Sequence, residues 1–162
     1  MRTETAILAM TAWLATGGAV QAADLCATMK AIIDNQHDFA PLRGDQLTDR
    51  AWRSTAEIDG FESCEISTFK DGLILTCDGG TFEQDEQKPA YQKHDTIVDA
   101  MWACPVFDTL SLRETRREGY ESRSTFLSAG DASLNIEASQ TFSSAGGTLR
   151  DVWAVRLTMF EE

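Results

Sequence analysis

The sequence predicts a two-layer α+β domain, an antiparallel sheet with two helices on one face, in the order α-β-β-β-α-β-β-β. Three observations lead there. Two segments space their apolar residues at helical period, several short segments alternate apolar and polar residues between Gly-containing turns, and four cysteines fall where two bridges can link neighbouring elements. Strands gathered in runs on either side of a helix, without regular β-α-β alternation, favour pairing of consecutive strands over a parallel sheet.

The chain opens with Arg2, an apolar run from Ala6 to Ala15 and the small-residue segment Ala19-Val20-Gln21-Ala22, the three-part plan of a secretory signal peptide. That run is about half of the roughly 20 residues that cross a bilayer as a helix. Nothing later in the chain approaches that length, so no membrane span is expected. Residues 1–22 are read as the signal peptide and residues 23–162 as one α+β domain, a length at which about two-thirds of the unfolded surface is buried on folding. Loss of the signal removes one Arg and one Glu and leaves a net charge of −12. Such a surface repels nucleic acid and anionic lipid and attracts cationic partners, besides keeping an exported protein soluble.

Asp24 is placed to cap a first helix in which Leu25, Met29, Ile32 and Ile33 form one stripe, expected to end near Asp38 to Ala40 because Pro41 disfavours a helical residue before it. Leu42-Arg43-Gly44-Asp45 reads as a turn. Trp52 to Ile58 alternates as a strand, Asp59-Gly60 is a hairpin turn, and Phe61 to Phe69 is the second strand. Gly72 is placed to take positive φ in the next turn, and Leu73 to Asp78 is a third strand ended by Gly79-Gly80. Pro89 suits the first turn of a second helix, over Ala90 to Cys104, whose stripe is Ile97, Val98, Met101 and Cys104 with Ala90 and His94 behind, and Pro105 stops it. Strands over Arg123–Ser128, Ser133–Ala138 and the alternating Trp153, Val155, Leu157 and Met159 complete the chain, with a Ser/Gly-rich loop from Ser139 to Thr148. The charged segment 110–119 fits neither period.

Cys26, Cys64, Cys77 and Cys104 are separated by 38, 13 and 27 residues, without the C-x-x-C of thiol oxidoreductases and zinc knuckles. Of the three possible connectivities, the strand reading selects Cys64 with Cys77 on one hairpin, which leaves Cys26 and Cys104 to join the start of one helix to the end of the other.

No nucleophile elbow, H-E-x-x-H, P-loop or dinucleotide fingerprint is present, and no catalytic, cofactor or metal residue is assigned. His37 reads as a solvated residue at a helix end. His94 reads as the edge of a core stripe, and a hydrolase would need it with Asp95 and one of the serines. Glu83, Asp85 and Glu86 lack the D-x-D-x-D-G order of a calcium loop, and the Ser143-Ser144-Ala145-Gly146-Gly147 stretch reads as a connection. Arg113, Arg116 and Arg117 form a basic run in an acidic chain, interleaved with Glu114 and Glu118, which are expected to neutralise it unless an acidic partner does.

The element order is similar to that of small two-layer binding modules, secretion chaperones and exported inhibitor proteins among them, a likeness of order that carries no functional residue. The expectation is therefore an exported, periplasmic or secreted bacterial protein, a non-enzymatic binding or accessory module for another envelope protein. The alternatives are an acidic inhibitor or immunity protein against a cationic enzyme and a small hydrolase.

Overall fold

In the computed structural model the chain is described over residues 17–70, 72–117, 120–144 and 149–161, with side chains from residue 24 to 160. Helix α1 (Gly17–Asp34) is followed by a meander of four strands, β1 (Arg43–Thr48), β2 (Ala51–Ser54), β3 (Ser63–Phe69) and β4 (Gly72–Glu83). Helix α2 (Gln87–Trp102) is followed by a second meander, β5 (Thr109–Arg117), β6 (Tyr120–Ala129), β7 (Ala132–Ser143) and β8 (Arg150–Glu161). All eight strands form one antiparallel sheet in the order β1-β2-β3-β4-β8-β7-β6-β5, so the two meanders meet through their last strands. The two-layer class, the alternation of helix and strands and both helices on one face are as expected, with one strand more in each meander.

The sheet register lines up apolar side chains in rows beneath the helices. Trp52, Ile66, Leu75, Met159, Leu134, Leu127 and Leu110 sit opposite one another from β2 to β5. The adjacent row is Cys64, Cys77, Leu157, Ile136, Thr125 and Leu112. On these rows α2 lays Ala90, Ile97, Val98 and Met101, while α1 contributes Leu25, Met29 and Ile32 to the same core. Each Leu, Ile, Val or Met among them, once fully buried, contributes about 1.5–3 kcal/mol.

Several boundaries differ from the sequence reading, each for a local reason. Asp24 lies inside α1 rather than capping it, because the helix begins at Gly17 and runs through the point where cleavage after Ala22 is expected. Residues 1–16 lie outside the described residues. α1 ends at Asp34, short of the expected end near 38–40, because the chain turns through Phe39 (φ 50) into a single 3-10 turn, Ala40–Leu42. The expected turn at 42–45 is the end of that turn and the start of β1, which pairs with β2 at Arg43↔Ser54. β2 stops at Ser54 because the connection to β3 folds down onto α2: Ile58 is buried, and a Cβ on Gly60 (φ 90) would lie 3.2 Å from Ile97. In the β3–β4 turn the positive φ falls on Lys70, not on Gly72. β7 extends to Ser143, beyond the expected loop boundary at Ser139, because it pairs along its whole length with β8; residues 145–148 of that loop lie outside the described residues.

The Gly79-Gly80 pair does not end β4 but bulges it. The Asp78 carboxylate accepts the Gly80 N–H at 2.9 Å, Gly80 takes φ 96, and pairing with β8 resumes one residue out of step at Thr81↔Ala154. A Cβ on Gly79 would meet the Val155 carbonyl oxygen at 2.9 Å, so only glycine lets β8 approach this closely.

Both disulfides join the expected partners. Cys64 and Cys77 are directly opposite on β3 and β4 with Cα atoms 4.0 Å apart, and Cys26 of α1 is bonded to Cys104, just past the end of α2, at 5.1 Å.

Two stability measurements test these features. The Cys26–Cys104 bridge spans 78 positions and the Cys64–Cys77 bridge 13. Loop-closure entropy makes the longer one worth about 1.5 kcal/mol more, so the double-alanine variant lacking Cys26–Cys104 is expected to melt lower; equal melting temperatures contradict this ranking. Gly79→Ala is expected to lose about 1–3 kcal/mol by crowding the β4–β8 pairing. Gly72→Ala, where the added methyl meets nothing within 4 Å, should stay within about 0.5 kcal/mol of the parent in denaturant melts.

Candidate functional site

Where α2 lies over β6, one flank of the helix and the sheet side chains beneath it bring together a cluster of polar and aromatic groups. Tyr91 and Asp95, one turn apart on α2, both reach Arg123 of β6. Asp95 accepts from Nη1 of Arg123 at 2.8 and 3.1 Å, and Glu114 of β5, opposite Arg123 in the ladder, accepts from Nε at 3.0 Å and Nη2 at 2.8 Å. The guanidinium lies over the Tyr91 ring at 4.4 Å, and Tyr91 meets the buried Trp153 edge-on at 5.3 Å. Burial works against the charge of Arg123, but the Glu114 and Asp95 carboxylates outweigh it and push its pKa above its ordinary value.

His94 points the other way from the same turn of α2, into the core, and is 1% exposed. Its Nδ1 is 2.8 Å from Oδ1 of Asp95, and its Nε2 is 3.3 Å from the Thr125 hydroxyl and 3.2 Å from the Ile136 carbonyl oxygen. Carboxylate, imidazole and hydroxyl thus stand in the order a nucleophile relay uses. The hydroxyl belongs to Thr125, however, not to a serine. Thr125 is 2% exposed, so no surface gives a substrate access to it. Both ring nitrogens are taken by partners within the protein, and the arrangement pins α2 to the sheet.

An open cavity of about 660 Å³ lies elsewhere, between α1 and the β2–β3 connection. Asp24, Glu57, Asp59 and Glu62 line it together with Arg53 and the apolar Leu25, Ile58 and Phe61. It contains neither histidine.

Of the acidic residues at 83–86, Glu86 stands at the N-cap position of α2 without a side-chain bond to that helix; its carboxylate accepts the Glu83 N–H at 2.9 Å and closes the turn out of β4. Among the described residues no group of three His, Cys, Asp or Glu side chains is arranged to hold a metal ion.

Arg113, Arg116 and Arg117 fall on β5, an edge strand exposed along nearly its whole length. Strand alternation puts Arg113 and Arg117 on the face away from the helices and Arg116 on the helix side. Their expected neutralisation fails in part, because Glu114 is drawn inward to Arg123, while Glu118 lies outside the described residues. Among the described residues no carboxylate comes within ion-pair distance of any of the three; Glu121, directly opposite Arg116 in the β5–β6 register, accepts instead from the Gln87 side chain. On the helix side of the same strand Leu110 and Leu112 remain 38% and 58% exposed, since α2 packs chiefly over β4, β6, β7 and β8. Sequence reasoning found the arginines but missed these leucines, whose alternation with Ser111 is only three residues long before the charges begin.

No protein-family model matches the chain, and no curated protein sequence is detectably similar to it. The fold and its surface define a small two-layer α+β protein with two disulfides, of the kind an oxidising compartment sustains. Among the described residues no helix is long and apolar enough to cross a membrane.

The chain has two tyrosines, and both are shifted the same way. Burial raises the pKa of Tyr91, and burial also raises that of Tyr120, whose hydroxyl donates to Glu137 at 2.8 Å. With native values above 10.0, the unfolded chain releases its phenolic protons first as the pH climbs. Their contribution to stability is therefore complete below pH 10.0 and is lost as the pH rises through the native values. An absorbance titration should show both phenols ionising at higher pH in the folded than in the urea-unfolded protein. Coincident curves would show that the sites do not protect the neutral phenols.

Proposed function

We propose that this chain is a non-enzymatic binding or accessory module of the periplasm, which meets another envelope protein through the arginine-bearing edge β5. The observation that carries the reading is the state of the three arginines: they are exposed on an open strand edge, and the acidic residue placed between them is committed to Arg123. An acidic surface on the partner supplies the missing charge, and in a chain of net charge −12 this edge is where such a partner meets least repulsion. The burial of His94 and Thr125, away from the cavity, supports a role without catalysis. The signal-peptide plan of residues 1–22 and the two disulfides support export.

A second reading, an inhibitor or immunity protein that offers an acidic surface to a cationic enzyme, is favoured by the carboxylates around the α1 cavity. Affinity capture from envelope extract separates the two. The wild-type chain should recover an acidic protein at low salt and release it at high salt. The triple variant Arg113→Glu, Arg116→Glu, Arg117→Glu should recover none while remaining folded, its stability lowered by no more than about 1.5 kcal/mol, about 0.5 for each surface substitution with the largest share at position 116, which faces Glu121. Recovery of a basic enzyme, retained by the triple variant, would sink the arginine-edge reading and leave the inhibitor.

A further inference from the structure

We infer that the partner docks by strand addition: an extended segment, acidic at alternate positions and apolar at those between, pairs with the open edge of β5 as a ninth strand. The inference rests on the binding reading above and adds its geometry and the chemistry of the segment.

The two edges of the sheet differ in the way that matters for such pairing. β1 is six residues long, and its register with β2 shifts twice within that length. Bulged, short edges of this kind are poor templates for another strand. β5 is nine residues long and pairs with β6 in one unbroken register from Thr109↔Ser128 to Arg117↔Tyr120. Its outer side therefore presents a straight row of backbone N–H and C=O groups to whatever lies beside it.

The side chains specify what fits. A strand beside β5 sends alternate residues to the same two faces as β5 itself. On the helix-free face it meets Arg113 and Arg117, which calls for carboxylates. On the helix side it meets the exposed Leu110 and Leu112, which call for apolar residues, and further along Glu114, already held by Arg123, and Arg116, opposite Glu121. Trp102, 44% exposed, continues the flank of α2 that carries Tyr91, Asp95 and Val98 at helical spacing, and adds apolar surface on that side. A second copy of this chain fits less well, because it brings the same arginines to the same edge and a second net charge of −12.

The probe is a blocked nine-residue peptide alternating Glu and Val, titrated into the disulfide-bonded, isotope-labelled chain and followed by amide chemical shifts and calorimetry. Binding should shift and protect the β5 amides. Arg113→Glu with Arg117→Glu should weaken it about tenfold or more, as two cross-strand ion pairs turned into like-charge pairs imply. Arg116→Glu, on the other face, should change it by less than about threefold, within the range of one indirect charge contact. Methylating the peptide nitrogens of one alternate set, either the Glu or the Val residues, should abolish binding, and methylating the other set should leave it, since only alternate amides of an antiparallel strand face its neighbour.

Equal binding by both methylated peptides, or by a peptide of the same composition with its Glu and Val residues in two blocks, overturns strand addition and leaves arginine docking in place. A peptide that fails to bind while the acidic envelope protein is still captured through the arginines likewise overturns strand addition alone. Failure of both peptide and envelope protein removes the binding reading itself. A free chain that sediments as a dimer with its β5 amides protected overturns the inference in favour of self-pairing.

Discussion

The ladder between β4 and β8 is the constraint on which the rest of the structure depends. Each meander is built from local hairpins, but the two share only this one pair of neighbouring strands, so a single eight-stranded sheet exists because these two can lie side by side. That in turn requires the bulge at Asp78–Gly80, where a side chain on Gly79 would push against the Val155 backbone. With the ladder formed, Leu75 meets Met159 and Cys77 meets Leu157, and the rows become continuous beneath α2. The Cys26–Cys104 bridge then ties α1 to the end of α2.

The same rows explain why polar chemistry gathers at one place and does so little on its own. α2 is centred over the inner strands, so its apolar stripe is buried and its flank hangs above β6. A polar group on that flank must find partners among the sheet side chains, and Arg123 supplies them for Asp95 and, from β5, for Glu114. His94, one residue from Asp95 but on the buried side, is satisfied by Asp95, Thr125 and a sheet carbonyl. Buried polar groups fully partnered in this way hold an orientation. Here the orientation held is that of α2 on the sheet.

A consequence appears at the sheet edge. Because Arg123 takes Glu114, the arginines on either side of it keep their charge uncompensated by that residue, and because α2 packs chiefly over the strands inside β5, two leucines stay in solvent. Internal satisfaction of one arginine thus shapes the surface offered by the next strand. The acidic cavity beside α1 lies far along the sheet order from this edge, so the two surfaces are chemically and spatially separate.

Local pattern alone determined the elements whose environments are one-sided. The stripes of α1 and α2, the alternation of Trp153 to Met159 and the opposed Cys64 and Cys77 each leave a period in the sequence, because burial of one face selects every second, third or fourth residue. The pairing of Cys26 with Cys104 then followed from which partners were left. What tertiary structure decided lies where that selection is weak or comes from afar. β1 and β5 are edges with little of their surface buried, so burial impresses no period on them, and Arg43–Thr48 and Thr109–Arg117 could not be read as strands. Gly79-Gly80 looks like a stop in sequence and is a bulge in the sheet, because only the approach of β8, more than 70 residues later, gives β4 a reason to continue. The commitment of Glu114 to Arg123 rather than to its neighbours is likewise a cross-strand fact, set by register between β5 and β6 and by the position of Asp95 above them.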